Sequence, residues 1–95
     1  MKDSHDLNIE WDESKNRLNQ RKHRVSFGEA ATVFEDPLEV AIPDPDHSVS
    51  EHRFISVGLS SSERLLVVSY TERAGRIRIV SARQPTKTER RAYES

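Results

Sequence analysis

The segment Arg76-Ile77-Arg78-Ile79-Val80 constrains the fold more than any other part of this sequence. Its residues alternate with a period of two, which places Ile77 and Ile79 on one face of a β-strand and Arg76 and Arg78 on the other. The isoleucines need a core to cover them, so the guanidinium groups point away from that core. The pattern therefore predicts a sheet with one packed face and one face that presents arginines.

The same strand belongs to a basic C-terminal half. Residues 1–50 have 6 basic and 11 acidic side chains, giving −5, and residues 51–95 have 9 basic and 5 acidic, giving +4. A polyanion would therefore bind the C-terminal half. Arg83 follows at the end of the strand, before Gln84-Pro85 stops the ladder. Arginines on a strand suit the binding of phosphate or carboxylate, because each guanidinium presents hydrogen-bond donors in one plane. The simpler alternative is a solvated surface that binds no ligand.

Capping signals predict three helices: residues 13–23 after Asp12, residues 27–34 after Ser26, and a short basic helix that follows Thr86 and ends near Tyr93. Ser26 with Glu29, and Thr86 with Glu89, each match a capping box, in which the two side chains bond each other's backbone amides. His23-Arg24 forms the turn between the first two helices, where glycine would more easily adopt a left-handed conformation. The spacing of Lys15, Asn19 and either Lys22 or His23 predicts that they lie along one side of the first helix, as a solvated or a substrate-facing surface.

Strand patterns occur at residues 8–11, 38–42, 53–59, 64–71 and 76–80, and Arg73-Ala74-Gly75 predicts a tight hairpin. We therefore expect antiparallel connections throughout. The element order predicts an α+β fold: an antiparallel sheet of three to four strands with two N-terminal helices and a short C-terminal helix. Helices on one face would leave the other free for a ligand. Residues 1–7 are predicted to be a flexible N-terminus, and residues 8–95 a single domain.

Composition excludes several classes of protein. The chain has no cysteine, which removes disulfides and thiolate metal sites. The carboxylates of Asp44 and Asp46 beside His47 are typical of a proline-rich turn, so no metal site and no cofactor are predicted. No apolar run approaches the length of a signal sequence or a membrane span, and we expect a cytoplasmic protein. Gly-rich phosphate loops and the common catalytic motifs are also absent.

The remaining side chains suit metal-free RNA cleavage, in which the ribose 2′-OH is the nucleophile. Such a site must orient that hydroxyl, take its proton, stabilise the charge on phosphorus and protonate the leaving 5′ oxygen. Arginines would stabilise the charge. His23, or Tyr70 with a pKa lowered by cationic neighbours, would transfer protons. Tyr70 lies in mid-strand, where packing in the core is the common alternative.

Motifs along most of the chain resemble those of the BrnT toxin family, small bacterial toxins of type II toxin–antitoxin pairs. The matching residues are Trp11-Asp12 with Lys15 and Asn19, Lys22-His23, Val25-Ser26-Phe27 with Glu29-Ala30, Val33-Phe34-Glu35-Asp36-Pro37, Glu51 with Arg53, Gly58, Leu66-Val67-Val68 with Tyr70, and Arg78-Ile79-Val80-Ser81-Ala82-Arg83 with Glu89-Arg90. Arg24 and Gly28 depart from the family pattern, in which glycine and glutamate are usual.

The resemblance implies a RelE-like ribonuclease fold and RNA cleavage that arrests translation. It also implies a hetero-oligomer with a BrnA-like antitoxin, whose ribbon-helix-helix domain binds the operon's DNA, so that this chain contacts DNA only indirectly. The predicted catalytic residues are Arg78, Arg83, His23, Lys22 and Tyr70, and the predicted RNA-binding residues are Arg53, Arg76, Lys15 and Lys87.

Two other functions compete with this interpretation. The chain could be a non-catalytic interaction protein whose basic face docks an antitoxin or RNA. A DNA-binding regulator acting alone is less favoured, because no recognition helix with a basic face and a dimer element is apparent.

Overall fold

The computed structural model describes residues 8–44 and 52–95, which form an α+β fold as predicted. Within these ranges the elements are β1 (Ile9–Glu10), α1 (Glu13–His23), α2 (Phe27–Ala31), a 3-10 turn (Thr32–Glu35), β2 (Val40–Pro43), β3 (Arg53–Leu59), β4 (Leu65–Arg73), β5 (Arg76–Arg83) and α3 (Lys87–Glu94). The predicted flexible N-terminus and most of the proline-rich loop, including Asp46 and His47, lie outside the described residues.

The described strands form one sheet in the order β1-β5-β4-β3-β2. Neighbours from β2 to β5 are antiparallel, but β1 runs parallel to β5, with Ile9 opposite Ile77 and Glu10 opposite Arg78. The prediction of three to four strands, all antiparallel, is therefore wrong. A two-residue strand is too short for a period-two pattern, and more than sixty residues separate it from its partner, so no hairpin signal reports its direction.

The β4–β5 hairpin has the predicted tight turn. Ala74 and Gly75 both have positive φ angles, 49° and 79°, as a two-residue type I′ turn requires. Further along, Ser81 pairs with Ser69 and Ile79 pairs with Tyr70. Val80 is therefore left without a partner on β4 and forms a β-bulge, which bends β5 where it passes α1.

The main core lies on one face of the sheet. It joins residues of the α1–α2 turn, of α2 and of the 3-10 turn to residues of β4 and β5: Val25, Phe27, Ala30, Val33, Leu66, Val68, Ile79 and Ala82. Ile79 is 1% exposed, whereas the adjacent Arg78 side chain is 32% exposed on the opposite face. The alternation predicted for this strand is therefore confirmed.

The opposite face is only partly open, which corrects the prediction of a free face. A second cluster of Val57, Leu65 and Val67 lies there, and Tyr93 of α3 packs against it. The Tyr93 hydroxyl also donates a hydrogen bond to the Asp36 carboxylate at 2.5 Å. Helix α3 therefore covers one end of this face, because the apolar side chains of β3 and β4 there need shielding from water.

The two predicted capping boxes have different outcomes. At α3, Thr86 and Glu89 bond each other's amides, as predicted. At α2, the Ser26 hydroxyl accepts from the Glu29 amide, but the Glu29 carboxylate bonds Arg64 at 2.5 Å instead of the Ser26 amide. A charge-assisted bond to a guanidinium is stronger than a bond to a neutral amide, and the β3–β4 turn brings that guanidinium within reach.

Candidate functional site

Four predicted arginines lie on the face of the sheet that points away from the main core. We call this the arginine face; it carries Arg53, Arg76, Arg78 and Arg83. One cross-strand row runs from Arg53 through Thr71 to Arg78 and then to Glu10. The Thr71 hydroxyl at the centre of this row is buried and is the one such side-chain atom in the described chain without a hydrogen-bond partner. Thr71 was not a predicted site residue, since a strand threonine gives no signal of its own.

Glu10 holds two of these arginines. Its carboxylate accepts from Arg78 at 3.0 Å and from Arg76 at 3.1 Å. The hydrogen bonds from Arg78 and then Arg76 lower the pKa of Glu10, so the carboxylate stays ionised well below neutral pH. The short strand β1 thus supplies an anion that fixes the direction of both guanidinium groups.

Arg83 has a carboxylate of its own. Its two terminal nitrogens donate to the two Glu89 oxygens at 2.8 and 2.9 Å. Arg83 thereby lowers the pKa of Glu89 to about 2, and donating these hydrogen bonds to Glu89 raises the pKa of Arg83. Arg83 lies five residues after Arg78, on the order of 15 Å along the strand. The structure therefore places the two arginines that were predicted to be catalytic at separate points, each oriented by a different element.

Tyr70 is not placed for proton transfer. Its ring lies on the helix-covered face, at 5.0 Å from Phe34 in an edge contact and stacked at 5.5 Å on Phe54. Burial raises the pKa of Tyr70 to about 12, with smaller contributions from the charges of Glu39 and Glu72. The prediction of a lowered pKa is therefore wrong, and the alternative of a packing tyrosine is confirmed. A period-two pattern cannot tell which face a tyrosine joins when β4 is apolar on both faces.

The predicted helical residues come together at the edge of β5. Lys15, Lys22 and His23 lie along one side of α1, as their spacing predicts. They line an open groove of about 210 Å³, whose other walls are Leu18, Asn19, Val80 and Ser81. We call this the α1 groove. Neither Lys22 nor His23 has an ion pair or a side-chain hydrogen bond with any residue that the structure describes.

Asn19 fixes the position of the groove. Its side-chain amide donates to the carbonyls of Val25 and Ala82 at 2.8 and 2.9 Å, and its oxygen accepts from the Ala82 amide at 3.2 Å. The side chain thus satisfies the edge of β5 beyond the end of β1, where a strand partner is missing. The sequence shows Asn19 on the same side of α1 as Lys15. Its structural role had one weak signal, a polar residue where the docked side of a helix should be apolar.

Asp12, the N-cap of α1, is influenced by charges of both the groove and the arginine face. Its carboxylate accepts from the Lys15 amide at 3.0 Å, and this bond is the main cause of its lowered pKa. The charges of Lys15 and Arg78 lower it further. Asp12 therefore lies within electrostatic reach of both regions. At the other end of α1, Arg24 adopts the left-handed conformation, with φ of 59°, and its amide donates to Gln20.

The other predicted RNA-binding residues, Lys87 and Arg53, lie in α3 and β3. Lys87 is exposed in the first turn of α3, the helix whose Glu89 holds Arg83. Arg53 lies at the start of β3, two strands from Arg78. The described residues contain no group of three or more His, Asp or Glu that could hold a metal ion. Of the helices in the described ranges, none has both the length and the apolar character needed to cross a membrane.

Comparison with known proteins identifies the family. No curated protein matches the chain. The fold is similar to the 1.1 Å crystal structure of the Brucella abortus ribonuclease toxin BrnT, with a TM-score of 0.66 and 18% identity, over 85% of this chain and 99% of that one. A family model described as the ribonuclease toxin BrnT of type II toxin–antitoxin systems matches residues 11–89. This chain therefore belongs to the BrnT family of ribonuclease toxins.

Proposed function

We propose that this protein is a metal-independent endoribonuclease that arrests translation in the cytoplasm and is neutralised by a BrnA-like antitoxin. The observation that carries the proposal is the pair of strand arginines, Arg78 and Arg83, each held in a fixed direction by a carboxylate. Membership of a ribonuclease toxin family supports it. We also propose that the fold is RelE-like.

In the proposed mechanism, Arg78 binds the scissile phosphodiester and stabilises the charge on its oxygens as the reaction proceeds, and Arg83 binds another phosphate of the same RNA chain. The 2′ oxygen forms a bond to phosphorus and loses its proton to a base, while the bond from phosphorus to the 5′ oxygen breaks. That oxygen then takes a proton from an acid, so the products have a 2′,3′-cyclic phosphate and a 5′-OH. His23 is the proposed proton carrier, and Lys22 the cation beside it.

The ion pairs require an exchange of partners when RNA binds. A phosphate near Arg78 competes with Glu10, and one near Arg83 competes with Glu89. Both arginines are at least 30% exposed, so the exchange needs no unfolding. The carboxylates thereby keep the guanidinium groups ordered before the substrate arrives, which reduces the entropy lost on binding.

A second candidate function is favoured by the same ion pairs. Because Glu10 and Glu89 already bind three arginines of β5, that strand offers carboxylate-binding geometry as well as phosphate-binding geometry. An acidic segment of the antitoxin would occupy the same positions without any chemistry. The protein would then be a non-catalytic interaction protein.

Cleavage of RNA by the purified protein in EDTA tests the proposal. Replacing both arginines, in Arg78→Ala/Arg83→Ala, should reduce the cleavage rate by at least about a thousandfold, since removal of one charge-stabilising donor typically costs a hundredfold or more. The matched control is Arg91→Ala, an exposed arginine of α3 without an ion pair to any described residue, which should cleave at the wild-type rate.

Growth of cells that express each variant provides the second measurement. The double variant should be harmless while it still folds and still purifies with the antitoxin. Undiminished cleavage by the double variant would contradict the proposed roles. Binding of RNA without cleavage by the wild-type protein would favour the interaction protein.

A further inference from the structure

The α1 groove combines apolar and cationic surface in one place. Leu18 is 62% exposed on α1, and it faces the groove with Val80, which the β-bulge leaves without a cross-strand partner. Lys15, Lys22 and His23 line the same groove. An aliphatic surface beside cationic side chains suits a ligand that is flat and apolar on its faces and anionic at its edge.

The cations of the groove are available to a ligand. Lys22 and His23 have no acidic partner in the described ranges, and the lining of the groove contains no Asp or Glu. The ammonium of Lys15 has no ion pair with a described residue, and its charge contributes to the lowered pKa of Asp12. Three basic side chains and no acidic one make this a local positive surface on an N-terminal half whose net charge is negative.

The groove also lies next to the proposed phosphate site. Val80 follows Arg78 by two residues, about 7 Å along β5. Asp12 is close enough to both Lys15 and Arg78 for each charge to act on its pKa. A chain bound at Arg78 would therefore have a short distance to cover along β5 to reach Val80 and Ser81 in the groove.

From this geometry we infer that the α1 groove binds a nucleotide of single-stranded RNA adjacent to the phosphate held by Arg78. The base lies against Leu18 and Val80, and Lys15 and Lys22 contact the neighbouring phosphates. Apolar contact with a base face is tolerant of sequence, because every base has such a face. The inference rests on the proposed function, whose phosphate site defines where the RNA runs.

A binding measurement tests this inference apart from cleavage. The probe is a fluorescein-labelled, fully 2′-O-methylated oligoribonucleotide, which cannot supply the 2′-OH nucleophile, and its affinity is measured by anisotropy at several salt concentrations. Lys15→Ala/Lys22→Ala should weaken binding. It should also make the negative slope of log affinity against log salt less steep by about 1.4, because each lost phosphate contact removes about 0.7 for a single strand.

The matched control is Arg17→Ala/Arg21→Ala, which removes the same charge from exposed positions of α1 outside the groove. It should keep most of the wild-type slope. Leu18→Ala should weaken binding about fivefold without changing the slope, as expected when part of a leucine side chain is buried by the ligand. Because Leu18 is exposed, this variant should unfold at the wild-type temperature.

The outcomes separate the inference from the proposed function. Equal slopes for the groove pair and the control pair, when the unsubstituted protein cleaves ordinary RNA in EDTA, would overturn the inference and leave the nuclease standing. Loss of probe binding by the groove variants of a protein that cleaves nothing would support the inference and reject the nuclease. If the groove variants bind the probe normally but no longer purify with the antitoxin, the groove is a protein interface and the inference is wrong.

Discussion

The arginine face and the α1 groove are both basic, but their cations are in opposite states. On β5, Arg76 and Arg78 share Glu10, and Arg83 has both oxygens of Glu89. In the groove, Lys22 and His23 have no such partner among the residues described. The guanidinium groups of β5 are therefore held in fixed directions, but most of their charge is balanced. The cations of α1 keep their net charge, but no ion pair fixes their direction.

Formal charges express this difference. Arg76 and Arg78 with Glu10 sum to +1, and Arg83 with Glu89 sums to zero. The groove sums to +2 from its two lysines, with His23 counted as neutral. Attraction at a distance depends on net charge, whereas stabilisation of a reacting phosphate depends on donors already in place. Under the proposed function, the groove would attract RNA and supply His23 for proton transfer, and the arginines of β5 would stabilise the charge on the phosphate.

The largest effect is expected at Asn19, which joins α1 to the edge of β5. Asn19→Ala removes three buried hydrogen bonds, leaving the backbone groups of Val25 and Ala82 without partners. We expect a loss of about 3 kcal/mol in the free energy of unfolding, measured in urea, because buried unpaired backbone groups are costly. Gln20→Ala, an exposed neighbour on α1, should change it by less than about 0.5 kcal/mol. Equal losses would mean that Asn19 does not hold α1 to the sheet.

A smaller effect on the free energy of unfolding is expected from the ion pair between Arg83 and Glu89. The folded-state pKa of Glu89, about 2, lies below its ordinary value of 4.5. The stabilisation is therefore present above about pH 4.5 and is lost as the pH falls toward 2. Glu89→Gln should lower the free energy of unfolding at pH 7 by about 1 kcal/mol, after allowance for solvent screening, and should match the wild type near pH 2.

Urea denaturation at the two pH values provides the measurement for this pair. Glu94→Gln on the same helix is the control, because its contact with Arg90 is long, at 3.9 Å, and exposed. It should change stability little at either pH. A pH-independent effect of Glu89→Gln would show that the carboxylate acts through the Thr86 cap instead of through its charge on Arg83.

The smallest effect tests whether the sheet arginines are restrained by their own acid. Glu10→Gln leaves Arg76 and Arg78 without their anion, so a phosphate no longer has to displace it. We expect the affinity for the uncleavable RNA probe to rise about two- to fivefold, the range of an exposed ion pair. Glu35→Gln removes the same charge from an exposed position on the 3-10 turn, and it should have a weaker effect. An unchanged affinity would contradict competition at Glu10.

Local patterns predicted those parts of the fold that depend on neighbours in the sequence. The alternation of Ile79 and Arg78, the N-cap at Asp12, the turn at Ala74-Gly75 and the capping box at Thr86 are all as predicted. Each depends on residues a few positions apart, whose relative placement is set by backbone geometry. The spacing that put Lys15 and Lys22 on one side of α1 belongs to the same class.

Partners distant in the sequence were not predicted. Glu29 bonds Arg64 and not its own cap, and Tyr70 joins the helix-covered face, where burial raises its pKa. The parallel pairing of β1 placed Glu10 beside Arg78. In each case the neighbouring residues in the sequence were compatible with several different partners for the charged or aromatic side chain.

The sequence by itself determined that β5 would present a row of arginines and that α1 would carry cations along one side, because helix and strand periods fix side-chain direction. Only the tertiary structure decided which of those cations are paired. Pairing depends on which carboxylate the fold brings within about 4 Å, since the attraction between charges falls off with distance and solvent screening. For β5 those carboxylates come from opposite ends of the chain, Glu10 and Glu89.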